Sequence, residues 1–290
     1  MRRKTVLFLI FPLIFLLCSC TAQPEPAQIA ATSLPVYEFT TVLCQGTDLT
    51  ITQLVTEPVS CLHDYTLNVR QVKALEAAEL IIFSGAGLED FLEDALPADR
   101  QVIDSSAGIS LLGCEDHDHG HDHDHHTDPH IWLSPVNAKI MAENICSGLK
   151  KAYPQHQSKL DANLAVLLQK LDALQEYGEQ TLSQLSCREL VTFHDGFAYL
   201  AQSFDLTILA AVEEESGREV SARELTELIH TVTAHQLPAI FTEINGSQSA
   251  AGIIGKKTNV KLYALDMAMS DDSYFDAMYH NINTLKEALG

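Results

Sequence analysis

Seven of the chain's 13 histidines fall between Cys114 and Trp132, in the run CEDHDHGHDHDHHTDPHIW. Neutral imidazole is the commonest side-chain ligand for zinc and its neighbours, and the interleaved acids add charge that attracts a dication. The run has no apolar periodicity and no means of forming a packed core, so it is expected to be a solvated loop. A mere acidic tether would draw on Glu, Ser or Lys rather than alternating His and Asp, which favours metal capture. Ordering such a loop costs entropy for every ligand fixed, so His117, His119, His121, His123, His125 and His126 are expected to give loose, exchangeable sites. A tight site must lie elsewhere.

Three isolated histidines are candidates: His63 in CLHDYTL, His130 in DPHIWLSP and His194 in VTFHDGF. Each is expected in a loop at the C-terminal end of a strand, where open α/β sheets hold ligands. Their separations of 67 and 64 residues rule out a local zinc-finger motif and fit a site assembled between lobes. Asp266 ends the run YALD and Glu243 ends IFTE, and either supplies an oxygen ligand, with water as the remaining choice. The acids that follow two of the histidines, Asp64 and Asp195, are candidates for orienting a ring as hydrogen-bond acceptors. Taken singly, each histidine reads better as a structural residue; jointly, beside the His-rich run, they read as a site. His156, His230, His235 and His280 lie on expected helices and are left as surface or structural residues.

Short apolar runs alternating with helical patterns predict parallel α/β layers. Strands are expected near Ile29–Ser33, Leu49–Val55, Leu80–Ser84 and Val102–Asp104, with helices near Val36–Cys44, Val69–Ala78 and Leu88–Ala95. Ser134-Pro135 supplies an N-cap and a proline at the first helical position for a helix to about Lys151. A long pattern from Gln155 to Leu185 follows, with Leu160, Leu164, Leu167, Leu168, Leu171, Leu174 and Tyr177 recurring at threes and fours. At about 1.5 Å per residue it spans roughly 45 Å, longer than one small lobe needs, so it is expected to be a strut joining two lobes. The second half repeats the first in kind, with strands near Leu190–Phe193, Leu206–Val212, Ala239–Thr242 and Val260–Leu265. Ser221 and Glu224 form an expected capping box for a helix to about Ala234. No repeat is visible residue by residue.

The predicted division is therefore a leader, 1–19; a tether, 20–28; an N-terminal lobe, 29–154, carrying the His-rich loop, 115–127; a linking helix, 155–185; and a C-terminal lobe, 186–290. The leader has a basic start (Arg2, Arg3, Lys4) and the apolar run VLFLIFPLIFLL, too short to span a bilayer comfortably. It ends in Leu17-Cys18-Ser19-Cys20, which resembles a bacterial lipobox and makes Cys20 the expected lipidation site; plain secretion is the alternative. The leader holds three of the 18 basic residues and none of the 39 acidic ones, so its loss takes the formal charge from −21 to −24. Nucleic acid is excluded as a partner on that ground. Besides Cys18 and Cys20, five cysteines remain, Cys44, Cys61, Cys114, Cys146 and Cys187, an odd number that leaves at least one free.

The runs LPVYEFT, CLHDYTL, GLEDFL, DPHIWLSPVNA, VTFHDGFAYLAQSFDL, IFTE and DSYFDAMYHNI, in that order, resemble the zinc- and manganese-specific solute-binding lipoproteins of ABC transporters. The resemblance covers nearly the whole chain after the leader. It implies two lobes of about four strands each, bridged by one rigid helix, with the ion in the cleft between them. It also implies delivery of that ion to a membrane permease driven by a cytoplasmic ATPase, by a lipid-anchored, extracytoplasmic monomer. Position by position, His63, His130 and His194 match the family's three histidine ligands, and Asp266 sits near its C-terminal carboxylate ligand. Manganese members carry Glu at the third position; His194 makes the set softer and suits zinc. Cys61 departs from the usual polar residue there, and is expected either to pair with Cys44 or to remain a thiol near the metal. Two other classes fit three histidines: a zinc-dependent hydrolase or lyase with an open position, and a surface metal buffer or adhesin whose working part is the loop. No HExxH motif and no placed general base support the enzyme, so none is expected.

Overall fold

The computed structural model describes residues 27–57, 62, 65–113, 127–212, 220–269 and 273–290. Eight short strands form two sheets of four. β1 (Ile29–Ala31), β2 (Ile51–Gln53), β3 (Leu80–Phe83) and β4 (Gln101–Asp104) run parallel in the order β2-β1-β3-β4. β5 (Glu189–Thr192), β6 (Thr207–Ala211), β7 (Ala239–Glu243) and β8 (Lys261–Leu265) repeat that order as β6-β5-β7-β8, again parallel. The repeat that residue identities hide is therefore plain in the topology. In each sheet the winding reverses between the two central strands, β1 with β3 and β5 with β7, and the crevice for a ligand opens beyond their C-terminal ends.

The helices follow their local signals closely. α1 (Leu34–Leu43) begins with Pro35 in its first turn. α2 (Val69–Ala77) opens on an Asn68–Gln71 capping box. α3 (Pro135–Ala152) is capped by Ser134, whose side chain accepts from Asn137 N–H, and ends on Lys150 and Lys151, which suit the negative end of its dipole. α6 (Ala222–Ala234) has the expected Ser221–Glu224 box. The exception is the helix expected near Leu88–Ala95, which shrinks to a single 3-10 turn, Asp90–Leu92. Gly85, Ala86 and Gly87 all take positive φ, and the Glu89 carboxylate folds back onto the N–H groups of Ser84 and Gly85, so the chain turns where a helix would have to start.

The strut is α4 (Gln157–Leu182), 26 residues long and about 39 Å from end to end. It buries Leu160, Leu167, Leu171 and Leu174 against α1 and α3 on one side and α8 (Tyr274–Leu289) on the other. One apolar cluster runs from Ile29 and Phe39 through Trp132 and the strut to Phe241 and Leu285, so the two sheets share a core across the helix. The outer face of the first sheet is covered by α2, and that of the second by α6 and α7 (Ser249–Thr258). Buried hydrogen bonds also cross between the lobes. Trp132 Nε1–H donates to Met267 C=O at 2.7 Å, and Tyr274 O–H to Trp132 C=O at 2.9 Å. Glu38 on α1 accepts from Tyr274 N–H (2.6 Å) and Ser273 O–H (3.1 Å), capping the start of α8 from the opposite lobe.

Candidate metal centre

His130 owes its position to a turn rather than to a strand end. Strand β4 stops at Asp104, and His130 comes 26 residues later, immediately before the buried 3-10 turn Ile131–Leu133 that leads into α3. His130 thus lies, as expected, in the connection that leaves the C-terminal end of β4, but at its far end, where the turn rather than the strand fixes it. Its ring is nearly inaccessible, and Asp128 Oδ1 accepts from both its main-chain N–H (2.9 Å) and its Nδ1 (2.7 Å). A carboxylate only accepts, so the ring proton sits on Nδ1 and the Nε2 lone pair is presented outward. Asp128 Oδ2 is buried with no hydrogen-bond partner among the described residues. A buried carboxylate so poorly satisfied is stabilised by positive charge arriving on the imidazole it holds.

His194 lies two residues beyond the end of β5, as its position in VTFHDGF predicts. Its Nε2 stands 3.4 Å from that of His130, with the ring centroids 5.1 Å apart and the planes at 87°. Two ligand nitrogens at about 2.0–2.1 Å from a tetrahedral zinc ion are separated by about 3.3–3.4 Å. The pair therefore already has the spacing of one edge of such a site. Gly196 makes room for this ring: a Cβ there would lie 2.5 Å from His194 Cδ2 and 2.6 Å from the end of Met267.

Asp266 is the residue after β8 and is buried. Asn281 on α8 brackets its backbone, accepting from Asp266 N–H and donating to its C=O, both at 2.7 Å, while Asp266 Oδ1 accepts from Ala268 N–H at 2.8 Å. The following Met267 carbonyl meets Trp132, which ties this segment to the turn beside His130. Glu243 is the buried last residue of β7. Among the described residues, no three His, Cys, Asp or Glu side chains meet in a geometry that holds an ion; two, His130 and His194, do approach each other.

His63, Asp64, Cys61, Cys20 and the six loop histidines from His117 to His126 lie outside the described residues. Cys44 is a buried free thiol, pushed up to about 12 by burial and by nearby Cys146, also free. The two flanks of the His63 segment are tied together. Glu57 Oε2 accepts from Tyr65 O–H (2.7 Å) and Gln71 Nε2 (3.1 Å), and Gln71 Nε2 also donates to Leu54 C=O (3.0 Å). Sequence reasoning missed Asp128, which holds His130 in place of any following acid, and Gly196. The signals were present as Asp-Pro-His and His-Asp-Gly, but their meaning depends on how the chain turns.

Residues 29–288 match the sequence family ZnuA, zinc-uptake complex component A periplasmic. The zinc-binding lipoprotein AdcA of Streptococcus pneumoniae is 31% identical over 295 residues, which cover 93% of this chain and 58% of that protein, so the chain spans a little over half of it. A putative metal-binding protein of Treponema pallidum is 28% identical over 309 residues, covering 99% of this chain and 97% of its own length. Among solved structures, a crystal structure of ZnuA superposes with a TM-score of 0.79 at 28% identity, over 91% of this chain and 100% of the other.

Proposed function

Because the chain belongs to the ZnuA family of zinc-uptake components, we propose that it is the extracytoplasmic zinc-binding component of an ABC importer. It captures one ion between its lobes and passes it to a membrane permease powered by a cytoplasmic ATPase. The observation that carries this reading is the 3.4 Å approach of His130 Nε2 to His194 Nε2, two imidazoles from different parts of the chain preset at a zinc-like spacing. His63 is the third ligand, and the fourth is Asp266, Glu243 or a water. Manganese suits this imidazole-rich set less well. Members of the family bind and hand over an ion rather than transform a substrate, so the hydrolase reading is set aside.

Cys20 carries a lipid anchor that keeps the protein at the membrane surface, a reading supported by the lipoprotein relative, and the protein works as a monomer. Among the described residues no helix is long and apolar enough to cross a membrane. The His-rich loop collects zinc weakly and raises its concentration beside His130. Competition calorimetry against a chelator tests the site directly. Alanine at His63, His130 or His194 should abolish tight binding, and unchanged affinity in any of the three removes that residue from the site. Deleting residues 115–127 should lower the stoichiometry and leave one tight site.

A further inference from the structure

Tyr199, on α5 (Ala198–Ser203), is five residues beyond His194 and almost wholly buried. Its hydroxyl meets the chain on both sides of the His-rich run: it accepts from Leu112 N–H at 2.9 Å and donates to Asp128 C=O at 3.0 Å. Those two residues are also joined to each other, Asp128 N–H donating to Leu112 C=O at 2.9 Å, and the next pair outward, Gly113 and Thr127, forms an antiparallel bridge. The run thus springs from a closed two-stranded neck, and the neck is bolted to the helix that follows His194. Asp128 is at once part of the neck and the group that holds His130.

We propose that Tyr199 is a positioning residue for the metal centre, its hydroxyl fixing Asp128 so that the His130 ring is aimed at His194. This rests on the zinc reading above. Asp128 is held at three points: its N–H by Leu112, its C=O by Tyr199, and Oδ1 by His130. Among the described residues, the Tyr199 bond is the one that links Asp128 directly to the half of the molecule that carries His194. Without the hydroxyl the neck stays closed through its own bonds but loses its tie to α5, so Asp128 and the His130 ring it holds keep only the Trp132 side of their anchorage to the C-terminal half. A few tenths of an ångström there spoil the paired nitrogens while leaving every helix and strand intact.

The test is a double-mutant cycle on the full chain, reading zinc affinity against a chelator strong enough to strip the weak loop sites. Tyr199→Phe keeps the ring and removes only the hydroxyl. It should weaken tight binding by about tenfold, the lower end of what outer partners of a metal ligand contribute, with an unchanged far-UV spectrum. In an Asp128→Ala background the same substitution should change affinity less than about twofold, because the group it acts through is gone. Repeating the cycle with Asp128→Leu, which keeps the volume and also removes the acceptor, covers poor folding of the alanine variant. An equal loss in both backgrounds, or no loss in the parent, overturns the proposal. A parent chain with no tight zinc site overturns the zinc reading as well, whereas a tight site indifferent to the hydroxyl overturns only this inference.

Discussion

Whether His194 turns its ring toward His130 is decided by a residue with no side chain. At Gly196 even a methyl group would meet His194 Cδ2 at 2.5 Å, so Gly196→Ala must displace the ring, the Met267 side chain or the backbone. The expected result is a loss of zinc affinity of roughly tenfold or more, at a stability cost of about 1–3 kcal/mol, checked by competition titration alongside thermal melting. Glu89 offers a second test, away from the histidines. Burial pushes its carboxyl up to about 7, although Thr32 O–H and the N–H groups of Gly85 and Ser84 oppose the shift. A carboxyl raised in the folded state binds its proton more tightly there than in the unfolded chain. Its contribution to stability is present in full below the ordinary carboxylate range and is lost as pH rises through about 7. Wild type should therefore gain stability over Glu89→Gln as pH falls from about 7 to about 4.5; a constant difference in denaturant titrations would show that the carboxyl is not shifted. The histidines were legible because imidazole chemistry is written in residue type. Asp128 was not, because its role depends on a turn that brings an acid back under the ring two residues later.

At the scale of elements, the clamp at the start of α2 has a pH dependence of the opposite sign. The Tyr65 hydroxyl is the main cause that holds the Glu57 carboxyl below its ordinary value. That contribution is present above the ordinary carboxylate range and disappears as pH falls through the lowered value. Tyr65→Phe should leave the lobes folded yet loosen the flanks of His63, visible as faster amide exchange at Gln71 and as weaker zinc binding. A second element-scale prediction concerns α8. Glu38→Ala removes the acceptor that caps its first turn and should cost about 1 kcal/mol or more, measured by denaturant unfolding. Strand and helix positions were readable to within a few residues wherever period and caps agreed, as at Ser134-Pro135 and the Ser221–Glu224 box. The helix expected at Leu88–Ala95 failed because its apolar spacing said nothing of the three positive-φ residues just before it or of Glu89 accepting from Ser84 and Gly85 N–H.

For the whole molecule, the shared core along α4 and the buried bonds of Trp132, Tyr274 and Glu38 tie the two lobes together. They should melt in one cooperative transition, and on the zinc reading saturating zinc should raise its midpoint, as any ligand held by the folded chain alone does. Two resolved transitions in calorimetry would contradict this. The two-lobe plan was visible in the sequence from the long leucine pattern; the repeated strand order was not, because topology leaves no trace in residue identity. The bond between Trp132 and Met267 also has a meaning in time. The turn beside His130 is completed by a carbonyl 135 positions further along, and the first helix is joined by Glu38 to the last, 236 positions away. A chain still being made lacks both fastenings. On the zinc reading proposed above, an ion met before the closing residues are in place would find the turn beside His130 unfinished.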